Sequence, residues 1–250
     1  MMHRNLTIDC GNSAVKIVLF QDDTIIDAVA VPYDDDPQKT IFDMAVRYQA
    51  QDAICCSVAR DSEPYCNTLH QAGVKRVIDF DWTINVPLIN DYATPRTLGA
   101  DRMAAAVGAA SVMPATELLV VDLGSACTYD LVTASGHFAG GNIAPGVGMR
   151  LRSLNAFTAR LPLVDPRGPL VDFGTDTAMA LRTGAVRGVA AEIQYYRTLG
   201  ASSPRPVVMT GGWASSIHRI IASDDSIILK PYLVNQGLNS ILRYNGNENN

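Results

Sequence analysis

The pattern of hydrophobic and polar positions predicts short strands alternating with helices. Segments of four to eight residues rich in β-branched side chains are typical of strands, and apolar side chains at i, i+3 and i+4 spacing are typical of helices. In the first half this pattern predicts strands at 6–9, 15–20, 24–31 and 53–58. It predicts helices from Pro37 onward and over about 99–113, with a second helix–strand step between 61 and 78.

The second half continues the alternation. Strands are predicted at 118–122, 128–133, 137–143 and 206–210. Helices are predicted at 147–158 and 176–199, after Gly212, and around the apolar positions Leu233, Leu238, Ile241 and Leu242. The final Asn-rich residues, 245–250, are expected to form a frayed tail.

One unit of strand, turn, strand, turn and strand occurs twice. Asp9-Cys10-Gly11 stands at its first turn near the amino end, and Asp122-Leu123-Gly124 stands at the same place in the second copy. The repetition predicts two similar α/β halves, residues 1–115 and 116–250.

Composition narrows the class of protein. The 250 residues carry a net charge of -5, so no global attraction to nucleic acid or anionic lipid is expected. No apolar segment approaches the ~20 residues of a membrane span, and no signal peptide is indicated. The five cysteines form no CxxC pair, which favours reduced thiols in a cytoplasmic protein over a disulfide framework or zinc site.

The two Asp-x-Gly turns are candidate anion sites. A glycine lets backbone N–H groups approach a phosphate, and short polar side chains add donors. A single such turn is more simply a hairpin turn that uses glycine, but two copies favour a functional interpretation. A carboxylate at each strand end can hold Mg²⁺ against triphosphate oxygens. The P-loop pattern GxxxxGK[ST] does not occur.

Gly99-Ala100-Asp101-Arg102 places an acid beside a guanidinium at the predicted start of a helix. The simpler interpretation is an ordinary first turn with a solvated arginine. The functional alternative is that Asp101 accepts a proton from a hydroxyl nucleophile while Arg102 holds a substrate carboxylate.

Several further features have two interpretations. The glycine-rich segments 140–146 and 210–212 are suited to packing against a nucleotide, or are plain turns. Thr175-Asp176-Thr177 is a helix cap or a ligand contact. Cys55-Cys56 lies in an apolar strand and is expected in the core. The four histidines show no metal-ligand spacing and are expected to be structural or surface residues.

In this order, the motifs resemble those of the type III pantothenate kinases. The residues that carry the resemblance are Asp9-Cys10-Gly11-Asn12-Ser13-Ala14-Val15-Lys16, Gly99-Ala100-Asp101-Arg102, Asp122-Leu123-Gly124-Ser125-Ala126-Cys127-Thr128, the segment 140–146, and Thr210-Gly211-Gly212. The resemblance implies an α/β duplicated ribonuclease H-like fold of the actin-like ATPase type, with two similar halves and a nucleotide cleft between them.

The resemblance also implies an activity. The expected reaction is ATP-dependent phosphorylation of pantothenate to 4'-phosphopantothenate, the first step of coenzyme A biosynthesis. ATP with Mg²⁺ and a monovalent cation, K⁺ or NH₄⁺, are the expected cofactors, and a homodimer is the expected assembly.

Residue roles follow from the matched motifs. Asp101 is expected to be the catalytic base, and Asp122 the ligand of the monovalent cation. ATP contacts are expected from Asp9, Cys10, Gly11, Asn12, Ser13, Ala14, Val15, Lys16 and Ser125. Pantothenate contacts are expected from Tyr92, Gly99, Ala100, Asp101, Arg102 and Thr177.

The chain departs from the family pattern at three positions. Ser13 and Ser125 replace the usual threonine and keep the hydroxyl, while Asp176 replaces an asparagine and would weaken pantothenate binding if it faced the pocket. Two alternatives stay open: a catalytically inactive regulatory homologue of the same fold, and a different small-molecule kinase of the superfamily.

Overall fold

The computed structural model describes residues 3–58, 61–221 and 225–247. They form two compact units. The first comprises Met1–Thr116, Val132–Ala139 and Tyr232–Asn250, and the second comprises Glu117–Leu131 and Gly140–Pro231. This partition by compactness differs from the predicted halves 1–115 and 116–250, which concern the repeated strand pattern and stay a prediction.

A mixed five-stranded sheet forms the centre of the first unit. Its strands are β1 (Arg4–Cys10), β2 (Ala14–Gln21), β3 (Thr24–Pro32), β4 (Asp52–Ser57) and β5 (Arg76–Asp79). They lie in the order β3-β2-β1-β4-β5. The strands β1, β2 and β3 pair antiparallel, whereas β4 pairs parallel with β1 and with β5. The tight first turn thus leaves Asp9 and Lys16 opposite each other.

Helices α1 (Pro37–Tyr48) and α2 (Glu63–Gln71) contribute to one core of this unit. Apolar side chains of α1 at helical spacing, Ile41, Met44 and Ala45, are buried there. Asp36 caps α1, since its side chain accepts a hydrogen bond from the Lys39 amide at 3.1 Å, and Pro37 suits the first helical position.

Helix α3 (Ala100–Val112) packs against α7 (Leu233–Asn247) in the same unit. The two backbones come so close that a Cβ on Gly237 would overlap the carbonyl oxygen of Ala104. Buried amides then fix α7 to the sheet: Asn235 Nδ2 donates to Thr7 Oγ1 at 3.0 Å, and Asn5 Nδ2 donates to Asn239 Oδ1 at 2.8 Å. This packing holds the amino end of α3, with Asp101 and Arg102, in a fixed place.

The second sheet has the order β11-β10-β7-β8-β9-β6. Its strands are β6 (Ile89–Asn90), β7 (Leu118–Leu123), β8 (Ala126–Val132), β9 (His137–Pro145), β10 (Val207–Thr210) and β11 (Ile227–Leu229). The order β9-β8-β7-β10-β11 repeats β3-β2-β1-β4-β5. The predicted duplicated α/β architecture is therefore confirmed.

Helices α4 (Val147–Ala156), α5 (Thr177–Thr198) and α6 (Ala214–Ile221) belong to the second unit. The apolar faces of α4 and α5 bury Val147, Leu151, Val189 and Ile193 in a core shared with β7 and β10. The unit thus has its own hydrophobic core.

The helices bear on two expectations, one about the carboxyl-terminal tail and one about membrane-spanning segments. The expected frayed tail is wrong up to Asn247, because α7 extends to that residue; 248–250 lie outside the described residues. None of the helices that the structure describes is long and apolar enough to span a membrane.

Candidate active site

Asp9 lies at the end of β1 with its carboxylate almost fully buried. Its Oδ2 is 3.7 Å from Lys16 Nζ on β2. Burial raises the pKa of Asp9 to about 6, the charge of Asp101 raises it further, and Lys16 opposes both effects. Above that pH, Asp9 is a desolvated negative charge with one cation beside it, which suits it to a bound metal ion.

The turn between β1 and β2 exposes a short polar tip. Gly11 N donates to Ala14 O at 3.2 Å, and the Tyr33 hydroxyl donates to Gly11 O at 2.6 Å. Asn12 and Ser13 are exposed at this tip.

The side chains of the two residues that flank this turn point into the protein core. Cys10 and Val15 are 0% exposed and belong to the core of the first unit. Burial raises the pKa of the Cys10 thiol to about 12. Of the predicted ATP contacts, Cys10 and Val15 can therefore act only through their backbone.

Asp101 stands in the first turn of α3, after the N-cap Gly99 and the first helical residue Ala100. Its Oδ1 accepts a hydrogen bond from the Arg102 amide at 2.8 Å. Burial raises the pKa of Asp101, against the lowering effects of that hydrogen bond and of the Arg102 charge. Since Asp101 also raises the pKa of Asp9, the fold brings the strand end and the helix start within electrostatic reach.

Arg102 is buried rather than solvated. Only 6% of the residue is exposed, so the interpretation of this arginine as a solvated first-turn residue is wrong. Its guanidinium carbon lies 5.6 Å from the centre of the Tyr92 ring and 5.8 Å from that of Phe138. The two rings are edge-to-face, with centres 6.2 Å apart. Aromatic rings attract a guanidinium and restrict its orientation.

Phe138 is a candidate site residue that the sequence motifs do not indicate. It is fully buried at the start of β9, which pairs parallel with β6. The Asp91 amide donates to Phe138 O at 3.1 Å, and His137 Nδ1 lies 2.9 Å from Asp91 Oδ2. These contacts tie the strand that carries Phe138 to the segment that carries Tyr92. Phe138 lies in a predicted strand, but only tertiary contact reveals its link to Arg102.

In the second unit, Asp122 is in close contact with the turn after β10. Gly211 has φ +94°, and a Cβ there would lie 2.5 Å from Asp122 Oδ1 and 2.5 Å from the carbonyl carbon of Leu123. The Trp213 amide donates to Leu123 O at 3.1 Å. The turn Thr210-Gly211-Gly212 lies against the Asp122 turn, and this close approach requires a glycine at position 211.

Ser125 and the segment 140–146 also meet in this unit. The Gly146 amide donates to Ser125 O at 3.1 Å. Both Asp122 and Ser125 are partly exposed, so their side chains remain reachable by a ligand.

Asp176 and Thr177 begin α5. Asp176 Oδ1 accepts a hydrogen bond from the Met179 amide at 2.8 Å, which makes it the N-cap, and Thr177 is the first helical residue. The carboxylate at 176 thus has the capping role that the sequence offered as one alternative.

Among the described residues, no group of three or more His, Cys, Asp or Glu side chains is placed to hold a metal ion. A magnesium ion does not need such a cage, because it commonly binds one or two carboxylates together with substrate phosphates. Asp9 fits that mode of binding.

Comparison with known proteins identifies close relatives. A sequence profile described as type III pantothenate kinase matches residues 5–198. The chain is 39% identical over 249 residues to a type III pantothenate kinase of Porphyromonas gingivalis, covering 98% of this chain and 100% of that protein. It is 37% identical over 248 residues to one of Bacteroides fragilis, covering 96% and 98%.

Solved structures resemble the whole chain as well. One, described as a Baf family transcriptional activator from Campylobacter jejuni, has a TM-score of 0.64 at 21% identity and covers 97% of this chain and 99% of its own. Another, the activator of the 2-hydroxyisocaproyl-CoA dehydratase from Clostridium difficile with bound ADPNP, has a TM-score of 0.58 at 12% identity, covering 98% and 96%. At these identities the likeness establishes the fold alone.

Proposed function

The chain belongs to the type III pantothenate kinase family, and from this premise we propose how its residues carry out the family reaction. The protein transfers the γ-phosphoryl group of ATP to the primary hydroxyl of pantothenate, giving 4'-phosphopantothenate and ADP at the start of coenzyme A biosynthesis. The observation that best supports the proposal is the juxtaposition of a partly buried acid, Asp101, with a buried, ring-flanked Arg102.

Asp101 is the general base in this proposal. The pantothenate oxygen forms a bond to the γ-phosphorus while the bond from that phosphorus to the β,γ-bridging oxygen of ATP breaks, and the hydroxyl proton passes to Asp101. A loose phosphoryl-transfer transition state requires alignment more than prior deprotonation. The raised pKa of Asp101 makes it a better proton acceptor as the new bond forms.

Arg102 binds the pantothenate carboxylate. Its planar fork of N–H groups matches two carboxylate oxygens, and Tyr92 and Phe138 hold that fork in one orientation. Gly99 and Ala100, at the start of α3, lie beside the same substrate. Asp101 and Arg102, which are adjacent in one helical turn, thus contact the two ends of one small molecule.

The remaining roles concern the nucleotide and cations. Residues 9–16 surround the phosphates. The Lys16 side chain supplies a positive charge, and the exposed tip at Asn12 and Ser13 supplies N–H donors. Asp9 would hold the divalent ion that accompanies ATP, and that ion would supply charge neutralisation for the transferred group. Ser125 contacts ATP, and Asp122 holds the monovalent cation, K⁺ or NH₄⁺.

Thr177 is a further pantothenate contact, placed at the first turn of α5. The protein acts as a homodimer in the cytoplasm. These statements rest on the matched family positions and on family membership.

A coupled assay tests the function. Purified protein with ATP, Mg²⁺, K⁺ and pantothenate is expected to form ADP and 4'-phosphopantothenate in equal amounts, identified by mass spectrometry. Asp101→Asn is expected to retain fold and ATP binding but to lose roughly two to four decades of turnover. Asp43→Asn, which alters an exposed carboxylate on α1, is the control and should keep full activity.

Other outcomes would reject the proposal. Absence of ADP formation with correctly folded protein would favour an inactive regulatory homologue. ADP formation with another alcohol but not with pantothenate would identify a different small-molecule kinase.

A further inference from the structure

The segment that carries Tyr92 connects β5 to α3 and has little regular structure. The structure describes all of this Tyr92 segment, residues 80–99, and its regular elements are the two-residue strand β6 and one 3-10 turn, Pro95–Thr97. Residues 93–97, which directly follow Tyr92, are exposed. The position of the Tyr92 ring therefore depends mainly on how β6, on its amino side, is attached to the rest of the first unit.

Two backbone hydrogen bonds flank the pairing of β6 with β9. The Ile89 amide donates to Gly136 O at 2.9 Å, and the Asp91 amide donates to Phe138 O at 3.1 Å. The parallel register itself covers two residues on each strand. A pairing this short is a weak attachment by itself, so side-chain contacts at the same place contribute to holding the Tyr92 segment.

A side chain from each strand end supplies such a contact. His137 Nδ1 lies 2.9 Å from Asp91 Oδ2, and because a carboxylate only accepts hydrogen bonds, the Nδ1–H donates. Asp91 directly precedes Tyr92, and His137 directly precedes Phe138. Tyr92 and Phe138 are the two rings that lie beside the Arg102 guanidinium. The Asp91–His137 pair thus joins the two ring-bearing segments one residue before each ring, within the first unit.

We propose that Asp91 and His137 are positioning residues for pantothenate binding. Their pair holds the Tyr92 segment against β9, so that Tyr92 and Phe138 keep the Arg102 guanidinium in one orientation. The two side chains are 48% and 32% exposed, so they are not part of the hydrophobic core, and neither contacts the substrate in this proposal. The inference rests on the carboxylate-binding role proposed above for Arg102.

Loss of the pair should weaken pantothenate binding without changing the chemical step. The carboxylate that Arg102 holds is at the opposite end of pantothenate from the reacting hydroxyl, so its contact contributes equally to the ground state and the transition state. Exposed ion pairs contribute little free energy. Asp91→Ala and His137→Ala are therefore each expected to raise the KM for pantothenate about two- to fivefold, while kcat and the KM for ATP change little.

Two further variants identify the pair as the cause. His137→Asn keeps an N–H donor at the place of Nδ1 and is expected to have a nearly native KM for pantothenate. The double variant Asp91→Ala/His137→Ala should show no larger rise than either single variant, because both substitutions remove the same interaction. A rise equal to the product of the two single effects would contradict the proposed pairing.

His3→Ala is the matched control. His3 Nε2 lies 2.9 Å from Asp52 Oδ2, which is the same kind of histidine–aspartate pair in the same unit. This pair stands before β1, at the opposite end of that strand from Asp9. His3→Ala should retain both native KM values, and a rise in the KM for pantothenate equal to that of His137→Ala would assign the effect to general destabilisation.

Limited proteolysis measures the same contact without any substrate. Arg96 is exposed in the Tyr92 segment, and trypsin cleavage there depends on local opening of the chain. The initial rate of cleavage between Arg96 and Thr97, followed by mass spectrometry, is expected to rise about two- to fivefold in Asp91→Ala and His137→Ala. It should stay native in His3→Ala.

Different results reject this inference and the proposed function. An active native chain whose KM for pantothenate is unchanged in both alanine variants would overturn the positioning role. Absence of turnover in the correctly folded native chain would instead reject the proposed kinase function. The cleavage rates then still decide whether the Asp91–His137 pair holds the Tyr92 segment, and unchanged cleavage in both alanine variants would show that it does not.

Discussion

The guanidinium carbon of Arg102 lies 5.8 Å from the centre of the Phe138 ring. The arginine is in the first turn of α3 and the phenylalanine at the start of β9, so the contact joins two distant parts of the sequence. A guanidinium held against aromatic rings keeps its planar fork in one orientation. The contact therefore connects the packing of the first unit to the proposed binding of a carboxylate by Arg102.

Arg102→Lys tests that connection. Lysine keeps the charge but loses the planar bidentate fork, so the KM for pantothenate should rise about tenfold or more, which corresponds to ~1.4 kcal/mol. The KM for ATP should change little. Steady-state kinetics with each substrate varied separately provide the measurement.

Arg96→Lys is the matched control. Arg96 also lies over an aromatic ring, 4.8 Å from the centre of Trp82, but it has no assigned substrate role. The control should retain both KM values. An equal rise of the two KM values in Arg102→Lys would indicate a disturbed protein rather than a lost carboxylate contact.

Phe138→Leu should weaken pantothenate binding although Phe138 has no direct substrate role here. Loss of the ring frees the Arg102 guanidinium, and the KM for pantothenate should rise about fivefold, or ~1 kcal/mol. Phe80→Leu removes another buried ring from the first unit and should cause a comparable loss of stability without the change in KM. Identical kinetic effects of the two variants would assign Phe138 to general packing.

Asp9 should make stability depend on pH. Its pKa is 3.8 in an unperturbed chain and about 6 in the fold, so the folded state binds the proton more tightly. The resulting stabilisation is present below about pH 4 and is lost as the pH rises through about 6, with an upper limit of about 3 kcal/mol.

The comparison is between the native chain and Asp9→Asn. Free energies of unfolding measured in urea from about pH 4 to about pH 7 should fall for the native chain relative to the variant, since asparagine has no proton to lose. A constant difference over this range would show that the pKa of Asp9 is not raised.

Gly211→Ala and Gly212→Ala form a matched pair in the second unit. At Gly211 the positive φ and the contact with Asp122 both oppose a Cβ, whereas a Cβ on Gly212 meets no atom within 4 Å. Gly211→Ala should destabilise the protein by about 2 kcal/mol or more, and Gly212→Ala by little. Thermal unfolding of both variants tests this, and equal melting temperatures would refute the close approach.

Replacing K⁺ by tetramethylammonium at constant ionic strength should lower turnover. Tetramethylammonium is too large for an oxygen-lined site and is not coordinated by a carboxylate such as Asp122. Asp122→Asn should reduce the difference between the two salts. Equal rates of the native protein in both salts would assign Asp122 another role.

The sequence alone predicted the elements that local pattern specifies. Hydrophobic periodicity located α1 and α5 because each buries one face at helical spacing, and the repeated Asp-x-Gly turns predicted the duplicated sheets. Pro37 marked the start of α1 through local backbone chemistry. The ordered motifs also carried the family resemblance. Local signals sufficed here because neighbouring residues determine turns, caps and helical faces.

Tertiary structure decided what depends on residues distant in the chain. Local pattern favoured a solvated Arg102, and burial beside Tyr92 and Phe138 became visible only when β6 paired with β9. The raised pKa of Asp9 likewise required burial and the charge of Asp101. Desolvation, ring contacts and charge coupling are properties of proximity in space, and the sequence by itself does not specify which distant side chains become neighbours.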